Sequence, residues 1–118
     1  MLATDISSLR NVERGELILD TGSSYDGITP VRIRVTKRDG RYEFSDAGGA
    51  IAAAGVDVSR LTFPESIGIG EYSTNVTRQG VVWLPGFARS DDHWLAKLPE
   101  LVATGSLALY EALLELDD

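Results

Sequence analysis

Residues 31 to 50 read VRIRVTKRDGRYEFSDAGGA, and their alternation decides the fold. Val31, Ile33 and Val35 alternate with Arg32, Arg34 and Thr36, then Tyr42 and Phe44 alternate with Arg41 and Glu43. Successive side chains of a strand point to opposite faces, so a period of two sends one set into a core and the other into water. Between the two runs Lys37-Arg38-Asp39-Gly40 turns the chain, and Asp-Gly favours a hairpin because it tolerates positive φ. The stretch is a hairpin with one wet face.

The hairpin runs into Ser45-Asp46-Ala47-Gly48-Gly49-Ala50-Ile51-Ala52-Ala53-Ala54-Gly55. Ser45 or Asp46 is placed to cap a helix N-terminus, and Gly55 to close the helix as the left-handed residue past its end. Gly48 and Gly49 would each cost a helix interior about 1 kcal/mol against alanine, so the expected return is close approach of the helix backbone to a sheet.

Working outward, Leu17, Ile18 and Leu19 form a buried strand closed by Asp20, and the Gly-, Ser- and Pro-bearing stretch from Thr21 to Pro30 reads as a loop or wide turn. Ile6, Leu9 and Val12 predict a short amphipathic helix between Thr4 and Gly15. Downstream, Ile67 and Ile69 alternate with glycines and Val81-Val82-Trp83-Leu84 lies between Gly80 and Pro85, which predicts two further extended segments. Ser90-Asp91-Asp92 starts a C-terminal helix with acids over its positive dipole end. Leu101, Val102, Gly105, Leu109, Ala112, Leu113 and Leu116 share one face of that helix, and Leu107, Tyr110 and Leu114 widen it. Pro99 either starts or kinks it. The expected fold is a single α+β domain over residues 1–118. An antiparallel sheet of three to five strands carries a short Ala/Gly-rich helix and a long C-terminal helix on one face.

The totals narrow function by exclusion. A chain of 118 residues, 43% apolar and 25% charged, has the composition of a globular domain and enough length to bury a core. It has no cysteine, which removes disulfides, thiol nucleophiles and thiolate metal sites and suits a reducing compartment. The N-terminus lacks the basic and apolar regions of a signal peptide and no run reaches membrane-spanning length, so the expected location is the cytoplasm. A formal charge of −7 opposes nucleic-acid binding over the whole surface, leaving only a local basic patch for that role. That patch has a place: Arg32, Arg34, Lys37, Arg38 and Arg41 put five of the eleven cations within ten residues, whereas residues 91 to 118 carry seven acids against Lys97.

Few residues assemble into chemistry. Asp91-Asp92-His93 sets carboxylates beside the only histidine, but helix neighbours do not face one another, and cap and surface roles account for them without a metal. Gly48-Gly49 at a helix start suggests a phosphate cradle, yet Asp46 at the same entrance repels phosphate and neither glycine-rich nucleotide motif is present. No Gly-x-Ser-x-Gly nucleophile elbow occurs. No cofactor is implied. Arg32, Arg34 and Arg41 form the candidate partner-binding ridge, anion-facing if they act together, and otherwise the wet side of the hairpin.

Two resemblances bear on function. ELILDTGSS, residues 16 to 24, resembles the local signature of retroviral-type aspartic proteases, homodimers in which each chain supplies one Asp. The resemblance implies that Asp20 is half of a proton-sharing dyad, that Thr21 braces it through its hydroxyl and that Gly22 permits the turn. The apolar-apolar-Gly segment such enzymes need is nearest at Val102-Ala103-Thr104-Gly105, inside the strongest helical pattern, so a polar loop is the preferred reading and the protease the alternative. Second, the order of extended segment, Tyr42-x-Phe44-Ser45-Asp46-x-Gly48, short helix and Gly55 resembles a family of small uncharacterised bacterial and phage domains. In that family Tyr-x-Leu-Ser/Thr-Asp-x-Gly follows a strand; here Phe44 takes the leucine position. The family implies a fold and no activity. The expectation is therefore a small acidic, non-enzymatic module that binds another protein, as an inhibitor, an immunity or antitoxin-like protein, or a phage or mobile-element accessory. The sequence specifies no oligomeric state.

Overall fold

The computed structural model describes residues 15–87 and 89–116; the helix expected between Thr4 and Gly15 falls outside them. Six strands, β1 (Gly15–Ser24), β2 (Pro30–Arg38), β3 (Arg41–Ser45), β4 (Ser66–Ile69), β5 (Tyr72–Val76) and β6 (Val82–Phe87), form one antiparallel sheet in the order β1-β2-β3-β6-β5-β4. Two helices complete the described chain, α1 (Gly49–Ala54) and α2 (Asp92–Leu116). The α+β class stands, with more strands than expected. The extra strand is β5, Tyr-Ser-Thr-Asn-Val, whose polar residues mask its alternation.

Val35 pairs with Phe44, and Lys37 with Tyr42, so the hairpin has the register its alternation requires. Val31, Ile33, Val35, Tyr42 and Phe44 are buried, while Arg32, Arg41 and Glu43 are exposed and Arg34 is half-buried. A slip of one residue would exchange these sets. Asp39, with φ 47°, and Gly40, with φ 76°, make the left-handed turn.

β1 corrects one expectation. It does not end at Asp20 but continues through Thr21-Gly22-Ser23-Ser24, with its register against β2 shifted between Asp20 and Ser24. The loop is shorter than expected, residues 25 to 29, and the Tyr25 N–H donates to the Thr29 carbonyl at 2.9 Å.

α2 lies across one face of the sheet in contact with all six strands, and α1 packs against α2. Asp91 starts α2, its carboxylate accepting the Trp94 N–H at 2.8 Å, and Pro99 sits buried inside the helix. The buried stripe runs Leu95, Leu98, Leu101, Val102, Gly105, Ser106, Leu109, Tyr110 and Leu113. Ala112, Leu114 and Leu116 are exposed instead, because the stripe drifts round the helix towards its C-terminal end. The close backbone approach expected of Gly48 and Gly49 belongs to other glycines: a Cβ on Gly105 would lie 2.6 Å from Thr74 Oγ1, and one on Gly86 would lie 2.9 Å from Phe44. Gly49 is crowded by the Tyr25 hydroxyl, 2.6 Å from where its Cβ would be.

Candidate functional site

With both helices on one side, the alternation of the strands defines an opposite, outer face. Register places Ile18 opposite Arg34, Asp20 opposite Arg32 and Glu16 opposite Thr36; beyond them Glu43 lies opposite Pro85, Arg41 opposite Phe87 and Ser45 between Arg34 and Trp83. Ile18 is 54% exposed and Phe87 47% exposed, so apolar side chains stand in water beside the charges. An apolar face left in solvent costs roughly 25 cal/mol per Å² relative to burying it, which makes it a surface that gains by contact.

Arg32, Arg34 and Arg41, the sequence-derived ridge, lie on this face, each with an immediate neighbour, but not as one cluster: Arg34 pairs with Ser45, whereas Arg41 pairs with Arg38 beside the hairpin turn. The Arg34 guanidinium is 3.9 Å from the Glu16 carboxylate. Asp20 lies opposite Arg32, and the Arg41 guanidinium carbon lies 5.8 Å from the centre of the Phe87 ring. Acids and arginines thus alternate, and the face is patterned rather than uniformly basic. Two open depressions flank Arg41 and Glu43. One, of about 740 Å³, reaches Glu16, Thr36 and Asp39; the other, of about 360 Å³, reaches Trp83, Pro85 and Phe87.

Sequence reasoning missed that aromatic half, although the signal was there: with Val82 inside, a period of two sends Trp83, Pro85 and Phe87 outward together. Pro85 obscured the strand, since proline cannot donate to a ladder. Its position explains its presence. β5 pairs with β6 only through Asn75–Trp83 and Val76–Val82, so by Pro85 β6 has lost its partner on that side.

Asp20, Thr21 and Gly22 are not grouped around a common centre. The exposed Asp20 carboxylate accepts the Gly22 N–H at 3.0 Å, closing a local turn, and Gly22 has φ 77°. Thr21 is buried, and its hydroxyl donates to the Val31 carbonyl at 2.7 Å. Val102-Ala103-Thr104-Gly105 lies within α2.

The buried polar chemistry centres on Asp46. The Asp46 N–H donates to the Val82 carbonyl at 2.9 Å, and Asp46 Oδ1 accepts the Val82 N–H at 3.0 Å, so the carboxylate takes the place of the next carbonyl of the β3–β6 ladder. Oδ1 also accepts the Gly48 N–H at 2.9 Å, and Oδ2 accepts the Ser106 hydroxyl at 2.7 Å. Ser106 has one proton, so the Tyr25 hydroxyl, 2.6 Å away, donates to Ser106. Burial pushes the Asp46 carboxyl above its ordinary value, opposed by Ser106 and the backbone donors of Gly48, Val82 and Ala50. Burial likewise pushes the Tyr25 phenol up to about 12, with the Ser106 hydrogen bond opposing and the Asp46 charge adding. The chain of three hydroxyl and carboxyl groups is enclosed and satisfied, and it ties the 25–29 loop, the exit of β3, β6 and α2 to one point. Asp46 does not occupy the N-cap position, which is Gly48 with φ 78° and no side-chain capping bond of its own, but its carboxyl receives N–H groups of Gly48 and Ala50 at the start of α1. Gly55 closes α1 as expected, with φ 66° and its N–H on the Ile51 carbonyl.

Searches against protein-family models, curated proteins and solved structures returned no match.

Proposed function

We propose that this chain is a small acidic, non-enzymatic module that holds another protein on the outer face of its sheet. The observation that carries the reading is the asymmetry of the sheet: the helices cover one face, and the other presents Arg32, Arg34 and Arg41 beside Ile18, Pro85 and Phe87. Because Glu16, Asp20 and Glu43 alternate with the arginines, the face selects a partner by charge pattern, and the aromatic half supplies the apolar area. The partner carries carboxylates over β2 and β3 and an apolar side chain over β6. An inhibitor, an immunity or antitoxin-like protein, or a phage or mobile-element accessory works in this way, by contact alone. The same reading places the chain with the small bacterial and phage domains that share the Tyr42-to-Gly48 pattern, supported by the part Asp46 plays at the exit of β3. Its working location is the cytoplasm, a reading supported by the lack of cysteine; among the described residues no helix is long and apolar enough to cross a membrane.

The experiment is affinity capture from lysate of the source organism with wild type and with Arg32→Gln/Arg34→Gln/Arg41→Gln, at low and high salt, alongside thermal melts. The expected result is a partner recovered by wild type at low salt, weakened as salt screens charges beyond about 10 Å at 0.1 M, and lost with the triple variant at an unchanged melting temperature. Equal recovery by both proteins contradicts the assignment of the ridge.

A further inference from the structure

The sheet has two outermost strands, and they differ. β4 spans four residues, one of them glycine, whereas β1 spans ten and is regularly paired with β2 from Gly15 to Asp20. Among the described residues no strand pairs with the far side of β1. An outermost strand presents unpaired N–H and C=O groups, a template for one more strand. Along the open stretch, Glu16, Ile18 and Asp20 are exposed on the outer face, and Leu17 and Leu19 are half-buried on the inner one.

That pattern discriminates between occupants. A second copy of β1, paired antiparallel about Ile18, would set Glu16 opposite Asp20 twice, and like charges directly opposite one another are destabilising. A strand with a cation opposite each acid meets the reverse situation. β2 shows part of this arrangement on the other side of β1: Arg32 lies opposite Asp20, Arg34 opposite Ile18 and 3.9 Å from Glu16, whose opposite residue is Thr36, and apolar Ile33 and Val35 lie opposite Leu19 and Leu17. We propose that the outer edge of β1, unpaired among the described residues, takes up an extended basic segment of a partner protein. Its Lys or Arg residues, four positions apart, face Asp20 and Glu16, and apolar residues between them lie over Leu17, Ile18 and Leu19. This site shares Glu16, Ile18 and Asp20 with the outer-face reading above but rests on backbone pairing at the edge rather than on the arginines, so N-methylation of the peptide and the arginine substitutions test the two apart.

The test uses the full chain and a blocked heptapeptide, Thr-Lys-Val-Val-Val-Lys-Thr, with its Glu-for-Lys counterpart and a version N-methylated on the amides that would face β1. Binding is followed by fluorescence anisotropy and by amide chemical-shift mapping. The basic peptide is expected to saturate with shifts confined to residues 16–20, the acidic one to bind at least tenfold more weakly, and the N-methylated one not to bind. Glu16→Lys, a surface change, should narrow or invert the preference between the two charged peptides. Equal binding of both peptides, shifts centred away from β1, survival of binding after N-methylation, or no saturation at millimolar peptide would each overturn the proposal.

Discussion

At the scale of single residues, Asp46 is the position on which most of the fold converges. Its carboxylate completes the β3–β6 ladder at Val82 and receives the Ser106 hydroxyl, so one side chain replaces a backbone carbonyl and anchors α2. Removing the Ser106 hydroxyl leaves Asp46 Oδ2 and the Tyr25 hydroxyl without it, and a buried polar group left unsatisfied costs about 1–3 kcal/mol. Ser106→Ala should therefore lower the melting temperature by several degrees. The pH dependence has a definite sign. With its carboxyl raised above the ordinary 3.8, folded Asp46 keeps a proton that the unfolded chain has already released, so stability falls as pH rises from that value through the folded one. Asp46→Asn cannot titrate. Its stability relative to wild type should increase across that window, read from denaturant melts at several pH values, and a difference that stays flat or shrinks would contradict a buried, raised carboxyl. Asp20 is the contrasting case for stability: exposed, with its carboxylate on the Gly22 N–H of its own turn, it should tolerate Asp20→Asn with a change within about 0.5 kcal/mol in a denaturant melt. Acid-dependent peptide cleavage abolished by that substitution would instead favour the protease alternative.

At the scale of elements, the hairpin and the long helix were legible in the sequence because their signals are local: alternation, Asp-Gly and apolar spacing. What joins them was not. Asp46 reads locally as a cap, and its partners beyond the helix start, Val82 and Ser106, stand 36 and 60 residues away, beyond the reach of any spacing rule. In the sequence β1 reads as ending at Asp20 because Gly22 and the serines resemble a loop, while the Thr21 hydroxyl, bonded to Val31, keeps the strand on the sheet. Likewise Gly105 reads as a weak point in α2, yet it is where the helix lies closest to Thr74 and Val82. Gly105→Ala gains about 1 kcal/mol in helix propensity and meets Thr74 Oγ1 at 2.6 Å and Val82 Cγ1 at 3.2 Å, an overpacking that typically costs 1–3 kcal/mol, on the order of the gain or above it. The net effect expected is destabilisation. Thr74→Ala removes the atoms in the way, including a buried hydroxyl with no hydrogen-bond partner. The double variant should be more stable than the sum of the single changes, and strict additivity in a double-mutant cycle would show that α2 does not rest on Thr74.

At the scale of the molecule, the outer face was half legible. Alternation placed Arg32, Arg34 and Arg41 in water together, but the acids among them and the Trp83, Pro85 and Phe87 half depend on which strands become neighbours, and only the pairing of β3 with β6 decides that. The sequence separation between Arg41 and Phe87 hides a contact that the sheet makes direct. The asymmetry of the sheet is the central claim, and site-specific photo-crosslinking tests it most directly. A photoreactive side chain is placed at Phe87 on the outer face or at the exposed Ala108 of α2, and both proteins are irradiated in cells of the source organism. The account predicts a discrete crosslinked partner from position 87, absent from position 108 and lost when Arg32, Arg34 and Arg41 are replaced by glutamine. A partner captured equally from both positions, or from position 108 alone, would contradict it.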